Sequence, residues 1–101
     1  MTARQYYVYI ATNRHGTLYT GFTNDIEGRM WQHRTGQSEF TAKYRIGKLL
    51  FVETFASVND ARDAEKRIKG WTHARKLDLI RTQNPAFRDL LHETRWDRGR
   101  T

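Results

Sequence analysis

Five side chains stand out for the chemistry that their types and spacing allow. Tyr9 and Tyr19 lie ten positions apart, Arg29 and His33 one helical turn apart, and Glu65 further along the chain. Together they offer a carboxylate for a hard divalent cation, a guanidinium for a phosphate, and two phenols and an imidazole for proton transfer. A plainer use exists for two of them. Glu65 and Arg29 can form an internal ion pair between two helices, because a charge turned inward is costly unless it is paired or bound to metal. Chemistry requires that all five converge, and that in turn requires one sheet face to serve both helices.

The elements that must position these residues follow from local patterning. Residues 6–11, Tyr-Tyr-Val-Tyr-Ile-Ala, are aromatic and β-branched and read as a strand. Asn13-Arg14-His15-Gly16 reads as a turn, and residues 17–22 as the return strand of a hairpin. A turn centred near Arg14 predicts Tyr9 opposite Tyr19 and Ile10 opposite Leu18. Alternation then places Val8, Ile10, Leu18 and Thr20 on one face and Tyr7, Tyr9, Tyr19 and Gly21 on the other. The glycine at the end of the tyrosine face marks a place where a ligand or another chain can come close to the backbone.

Asn24 through Glu27 resembles a capping box, with Asn24 as N-cap, and opens a helix from about Asp25 to Thr35 that Gly36 stops. On that helix Ile26 and Met30 share their stripe with His33, and Arg29 borders it. Residues 36–47 read as a polar, basic loop. Residues 48–54 form a third strand, apolar enough on both faces to be central or well covered. Ser57 and Asp60 start a second helix that Gly70 ends, with Glu65 inside the stripe of Ala61, Ala64 and Ile68. A third helix spans roughly Thr72 to Arg81 and presents Leu77 and Ile80. The whole is an α+β domain over residues 1–81. Residues 82–101 form a tail, partly packed through Leu90, Leu91 and Trp96 and partly mobile.

Composition narrows the function classes. The chain has 101 residues, 18 Lys and Arg against 11 Asp and Glu, and a formal net charge of +7. One core is what such a length supports. Thirteen of the cations are arginine, whose planar fork grips phosphate bidentately, so the charge favours a polyanionic partner. The absence of cysteine excludes disulfides and thiolate metal sites and leaves oxygen-ligated ions. No leader-like or membrane-length apolar stretch occurs, which leads to an expectation of a cytoplasmic protein with no membrane partner. The four histidines have no zinc-like spacing. Lys43, Tyr44 and Arg45 in the basic loop, and Lys66 and Lys69 on the second helix, are candidate nucleic-acid contacts or simply solvated surface. Trp31 and Trp71 read as packing residues.

Taken in order, Tyr7-Val8-Tyr9, Tyr19-Thr20-Gly21, Asp25 to Arg29 with His33, Glu65, and Lys69-Gly70-Trp71 resemble the GIY-YIG nuclease superfamily, and within it the small stand-alone bacterial, excinuclease-subunit-C-like group. The resemblance covers about Tyr6 to Ile80. It implies a three-stranded antiparallel sheet flanked by helices in the order ββαβαα, and hydrolysis of a phosphodiester with a single Mg²⁺ or Mn²⁺. By the same resemblance Tyr9 ends the first motif and Tyr19 opens the second. Arg29 holds the scissile phosphate, His33 is the histidine one turn later, and Glu65 is the metal ligand. Tyr7 stands where the family has glycine and Thr20 where it has isoleucine, neither a catalytic position. An asparagine that often follows the glutamate has no placed counterpart.

On this basis Tyr9 is the candidate general base, its phenol lowered beside Arg29 and a metal. His33 accepts its proton or orients it, and Tyr19 orients water or phosphate. The expectation is a metal-dependent endonuclease acting on DNA rather than RNA, in repair or processing, with a protein partner supplying specificity. Two alternatives stay open. One is a binding module of the same fold for DNA or RNA with weak or lost catalysis, and the other is an interaction domain in which Arg29 and Glu65 are only an ion pair.

Overall fold

The computed structural model describes residues 5–35 and 47–91. Three strands form one antiparallel sheet in the order β2-β1-β3: β1 (Tyr6–Thr12) is central, with β2 (Leu18–Thr23) and β3 (Lys48–Phe55) on its two sides. Helix α1 (Ile26–Thr35) connects β2 to β3, and α2 (Val58–Lys69) and α3 (His73–Gln83) follow β3. The predicted class, order and helix count are those observed.

The two faces of β1 each collect an apolar cluster, so the sheet divides the interior in two where the length led to an expectation of one core. Val8 and Ile10 pack with Phe51, Ala61, Ala64, Ile68 and Ile80, so α2 and α3 cover that face. Tyr9 and Ala11 pack with Met30, Leu49 and Leu91, so α1 covers the other. This is the alternation the sequence predicts, but the hairpin register differs. Tyr9 lies opposite Gly21, and Ala11 opposite Tyr19. The expected pairing was shifted by two residues, and since side chains repeat every two residues, a slip of two leaves every residue on its predicted face.

The turn explains the shift. Asn13 closes it with its side chain, whose Oδ1 accepts from His15 N at 2.9 Å and Thr17 N at 3.1 Å, while Gly16 takes φ +83°, a conformation open to glycine. The turn is centred on His15 instead of Arg14, and moving the centre by one residue shifts the pairing by two. The start of α1 also differs from expectation, because the N-cap is Asp25 rather than Asn24. Asp25 Oδ1 accepts from Gly28 N at 3.1 Å, and Asp25 N is itself held by Thr23 Oγ1 at 3.0 Å. At α2 the predicted cap is the observed one, with Ser57 Oγ accepting from Asp60 N.

Strand β3 is an edge strand, so of the two expectations, central or well covered, the second is the one observed. Its apolar character on both faces has a different cause: a bulge between its pairing with Ile10 and with Ala11 turns Leu50 toward the α2 side and Leu49 toward the α1 side. The open edge is covered by the segment after α3. Gln83 imitates a neighbouring strand, accepting from Val52 N at 3.0 Å and donating to Val52 O at 2.7 Å. Asn84 Nδ2 donates to Leu50 O, Asp89 accepts from Leu49 N, and Leu90 N donates to Leu49 O. An exposed edge is a template for unwanted pairing, and these contacts close it. Leu90 and Leu91 then pack onto the α1-side core as expected, while Trp96 lies outside the described residues.

Candidate active site

The α1 face of the sheet holds four of the five candidate residues. Tyr9 projects from the middle of β1 and is fully buried. Gly21 is directly across the ladder, and a Cβ there would come within 2.8 Å of Tyr9 Cε1. The close approach predicted at this glycine is therefore made by the tyrosine ring itself. Tyr19 is the diagonal neighbour on β2, its ring centroid 6.1 Å from that of Tyr9. His33 comes down from α1, 3% exposed, and its Nε2 lies 2.8 Å from the Tyr9 hydroxyl. The Tyr19 ring meets the His33 ring edge-on at 5.3 Å. Arg29, one turn earlier and half-buried, places its guanidinium beside both Tyr9 and His33.

Burial controls the protonation of this group. The Tyr9 phenol is pushed above its ordinary value by desolvation and then by Tyr19, and these outweigh the pull of Arg29 in the other direction. The expected lowering of Tyr9 is thus reversed, because the ring sits in the interior instead of facing solvent. His33 is lowered to about 4, again chiefly by burial and secondly by the Arg29 charge. At neutral pH both groups are uncharged, one proton occupies the hydrogen bond between them, and His33 Nδ1 is buried without a partner among the described residues.

Glu65 is elsewhere. It lies on α2, whose apolar stripe packs against the Val8 and Ile10 face, so the sheet separates it from the helix that carries Arg29 and His33. The two helices do not share one face, contrary to the expectation. The Glu65 side chain is 13% exposed and pairs along its own helix, with Lys69 at 3.0 Å and Arg62 at 4.0 Å. Arg62 in turn stacks over Phe22 of β2, 4.8 Å from the ring centroid, which brings α2 to the β2 edge of the sheet. Lys66 and Lys69 are exposed, whereas Lys43, Tyr44 and Arg45 lie outside the described residues. Trp31 is 45% exposed, and Trp71 is half-buried with Arg75 stacked on it at 4.1 Å. Asn84, the first asparagine after Glu65, is committed to backbone groups of β3 and its own turn.

The sequence matches the family model of the GIY-YIG catalytic domain over residues 5–78. The chain belongs to the GIY-YIG family. That membership places it among nucleases, whose partner is nucleic acid and whose members generally use a divalent metal. It is 41% identical over 83 residues to UPF0213 protein OB0043 of Oceanobacillus iheyensis, covering 78% of this chain and 93% of that protein. It is 40% identical over 81 residues to a UPF0213 protein of Syntrophus aciditrophicus, covering 78% and 92%. The solution structure of UPF0213 protein BH0048 from Bacillus halodurans aligns with a TM-score of 0.55 at 26% identity, over 89% of this chain and 97% of that one. The small stand-alone group expected from the motifs is the group these relatives form.

The described residues contain no cluster of three His, Cys, Asp or Glu side chains able to hold a metal, so a cage built from protein alone does not form there. A hard ion held by one carboxylate and completed by water and phosphate oxygens fits Glu65 better, since its two cationic partners are more than half exposed and displaceable. Among the described residues no helix is long and apolar enough to cross a membrane.

Proposed function

We propose that the protein is a metal-dependent endonuclease hydrolysing phosphodiester bonds of DNA, in repair or processing, and acting in the cytoplasm. The observation that supports this most is the buried hydrogen bond between Tyr9 and His33 with Arg29 beside it. A sheet face built only for stability gains nothing from desolvating a phenol, an imidazole and a guanidinium together. All three lie within the residues that match the family model of a catalytic domain.

In this reading Arg29 grips the non-bridging oxygens of the scissile phosphate. Of the two roles open to His33, orienting Tyr9 is favoured over accepting its proton, because an imidazole lowered to about 4 beside Arg29 is a poor terminal base. Tyr9 then serves as a fixed, protonated hydrogen-bonding group. Tyr19, half-buried and in edge contact with His33, is the phenol placed to meet the attacking water or the phosphate. Glu65 would hold Mg²⁺ or Mn²⁺, which supplies charge neutralisation at the phosphate and help for the leaving oxygen. A substrate strand following the β2 edge would reach Arg29 from one face and Glu65 from the other. Lys66 and Lys69, with Lys43, Tyr44 and Arg45, would add sequence-independent attraction for the backbone, and a protein partner would add specificity.

One observation favours a second reading, a binding module without turnover: Glu65 is already neutralised by Lys69 and lies across the sheet from Arg29. A cleavage assay separates the two, using branched, nicked and single-stranded DNA and RNA, with Mg²⁺, with Mn²⁺ and with chelator. The endonuclease reading expects metal-dependent cleavage that Glu65→Ala and Arg29→Ala abolish. Equal cleavage by wild type and Glu65→Ala would refute it.

A further inference from the structure

A cleft of about 590 Å³ opens between the β1–β2 turn and the start of α3, a volume typical of sites for small ligands. It lies on the side of the sheet away from Tyr9. Its apolar walls include Leu18, Leu77 and Phe87, and its cationic and imidazole groups are Arg14, Lys48 and His73, carried by three different elements. None of its described lining residues is acidic. His73 also opens α3, so the positive end of that helix dipole adds to the field.

Phe87 is partly buried against the α2-side core, with the Arg81 guanidinium 5.7 Å from its ring centroid, and its backbone conformation is unusual. Its φ is +56°, and among the described residues it is the one non-glycine residue in the left-handed region. For a bulky side chain that conformation is strained, and such strain persists only where the surroundings enforce it. Asn84 enforces it here. Phe87 N donates to Asn84 O and Arg88 N to Asn84 Oδ1, each at 3.0 Å, while Asn84 Nδ2 fastens the turn to Leu50 O of β3 at 3.0 Å. The result is an aromatic ring fixed on a braced turn, lining an apolar cleft with cations and an imidazole around it.

From this arrangement we infer that the cleft binds one unstacked nucleotide of a nucleic-acid strand, its base against Phe87 and its phosphates at Arg14, Lys48 and His73. Aromatic stacking platforms combined with cationic grooves are the general means of holding single-stranded nucleic acid. The three basic groups come from the β1–β2 turn, β3 and α3, and three of them suit the successive phosphates of a strand better than the single phosphate of a free mononucleotide. Leu18 and Tyr19 are adjacent on β2 and face opposite ways, so a strand entering the cleft passes the same strand end that carries Tyr19. The inference rests on the nuclease reading for the source of its ligand, but not for the existence of the site.

The test is a two-dimensional NMR titration of the full chain with the trinucleotide dT-dA-dT, with deoxyadenosine monophosphate and with deoxyadenosine. The trinucleotide is expected to shift the resonances of Leu18, Leu77 and Phe87. Phe87→Ala is expected to weaken it on the order of tenfold, with Phe87→Tyr restoring most of the affinity. Arg14→Ala, a change on an exposed turn, should weaken the trinucleotide and leave deoxyadenosine unaffected. Shifts confined to the surroundings of Tyr19 and His33, no shifts at all, or indifference to both Phe87→Ala and Arg14→Ala would overturn the inference. Binding of the free monophosphate as tightly as the trinucleotide would overturn its assignment to a strand. The wild-type chain separates the two proposals: cleft binding by a wild type that shows no metal-dependent cleavage leaves this site standing while the endonuclease reading fails. Cleavage without cleft binding does the reverse.

Discussion

The Tyr9 hydroxyl and His33 Nε2 meet 2.8 Å apart inside the protein, joining the central strand to the helix that covers it. Removing the Tyr9 hydroxyl takes away the hydrogen-bond partner of the buried His33 Nε2. Tyr9→Phe is therefore expected to cost about 1–3 kcal/mol. Tyr9→Phe combined with His33→Leu should cost less than the two single changes added together. Urea unfolding of the four proteins measures both.

The same pair makes stability depend on pH. His33 titrates at about 4 when folded and near 6.5 when unfolded, so between those values the unfolded chain binds more protons. Stability should be complete above about pH 6.5 and should fall as the pH drops toward 4, by an amount on the order of 2–3 kcal/mol. In His33→Leu that part of the slope should disappear. Unfolding free energies at pH 7 and pH 4.5 compare the two proteins.

Gly21 has a steric task rather than a flexible one. Because the Tyr9 ring lies over its α-carbon, Gly21→Ala forces the ring aside and should destabilise by about 1–3 kcal/mol. In a Tyr9→Leu background the same change should cost less. Denaturant midpoints in both backgrounds decide the matter.

Thr20 faces the α2-side core with its hydroxyl buried and without a hydrogen-bond partner among the described residues. Thr20→Val keeps the shape and removes the stranded polar atom, so it should stabilise the fold by about 1 kcal/mol. A higher melting temperature with unchanged nucleic-acid binding is the expected outcome.

Asn84 satisfies three backbone groups with one amide. Asn84→Ala should cost about 2–3 kcal/mol and loosen the cover over β3, which faster amide exchange at Leu49 and Leu50 would report.

The sequence revealed what is local and periodic. Both faces of β1 were legible because parity survives a two-residue slip, and the cap at Ser57 was legible because a hydroxyl three residues before a helical N–H is a short-range pattern. Long-range placement was not legible. Helical angles identify Arg29 and His33, or Glu65, as members of a stripe, but they do not say which side of the sheet the stripe covers. That is why Glu65 was expected beside Arg29 and is found paired with Lys69. The edge position of β3 was hidden for a similar reason. Its cover comes from Gln83, Asn84 and Asp89, thirty to forty residues away, and no local signal links an amide to a distant strand. The direction of the Tyr9 shift required knowing its depth, which charge spacing does not contain.

Asp89 ties these parts together, accepting from Leu49 N and Leu91 N while pairing with Arg34, the residue next to His33. Leu90 and Leu91, held by that tie, belong to the same apolar cluster as Tyr9 and Met30. During synthesis the strands and α1 leave the ribosome well before residues 89–91. Among the described residues, Leu91 is the last to cover the interior around Tyr9 and His33, and it does so only when residue 91 has emerged. Because burial is the main cause of the shifted acid–base behaviour of this phenol and imidazole, a chain still lacking residues 89–91 is expected to show less of it.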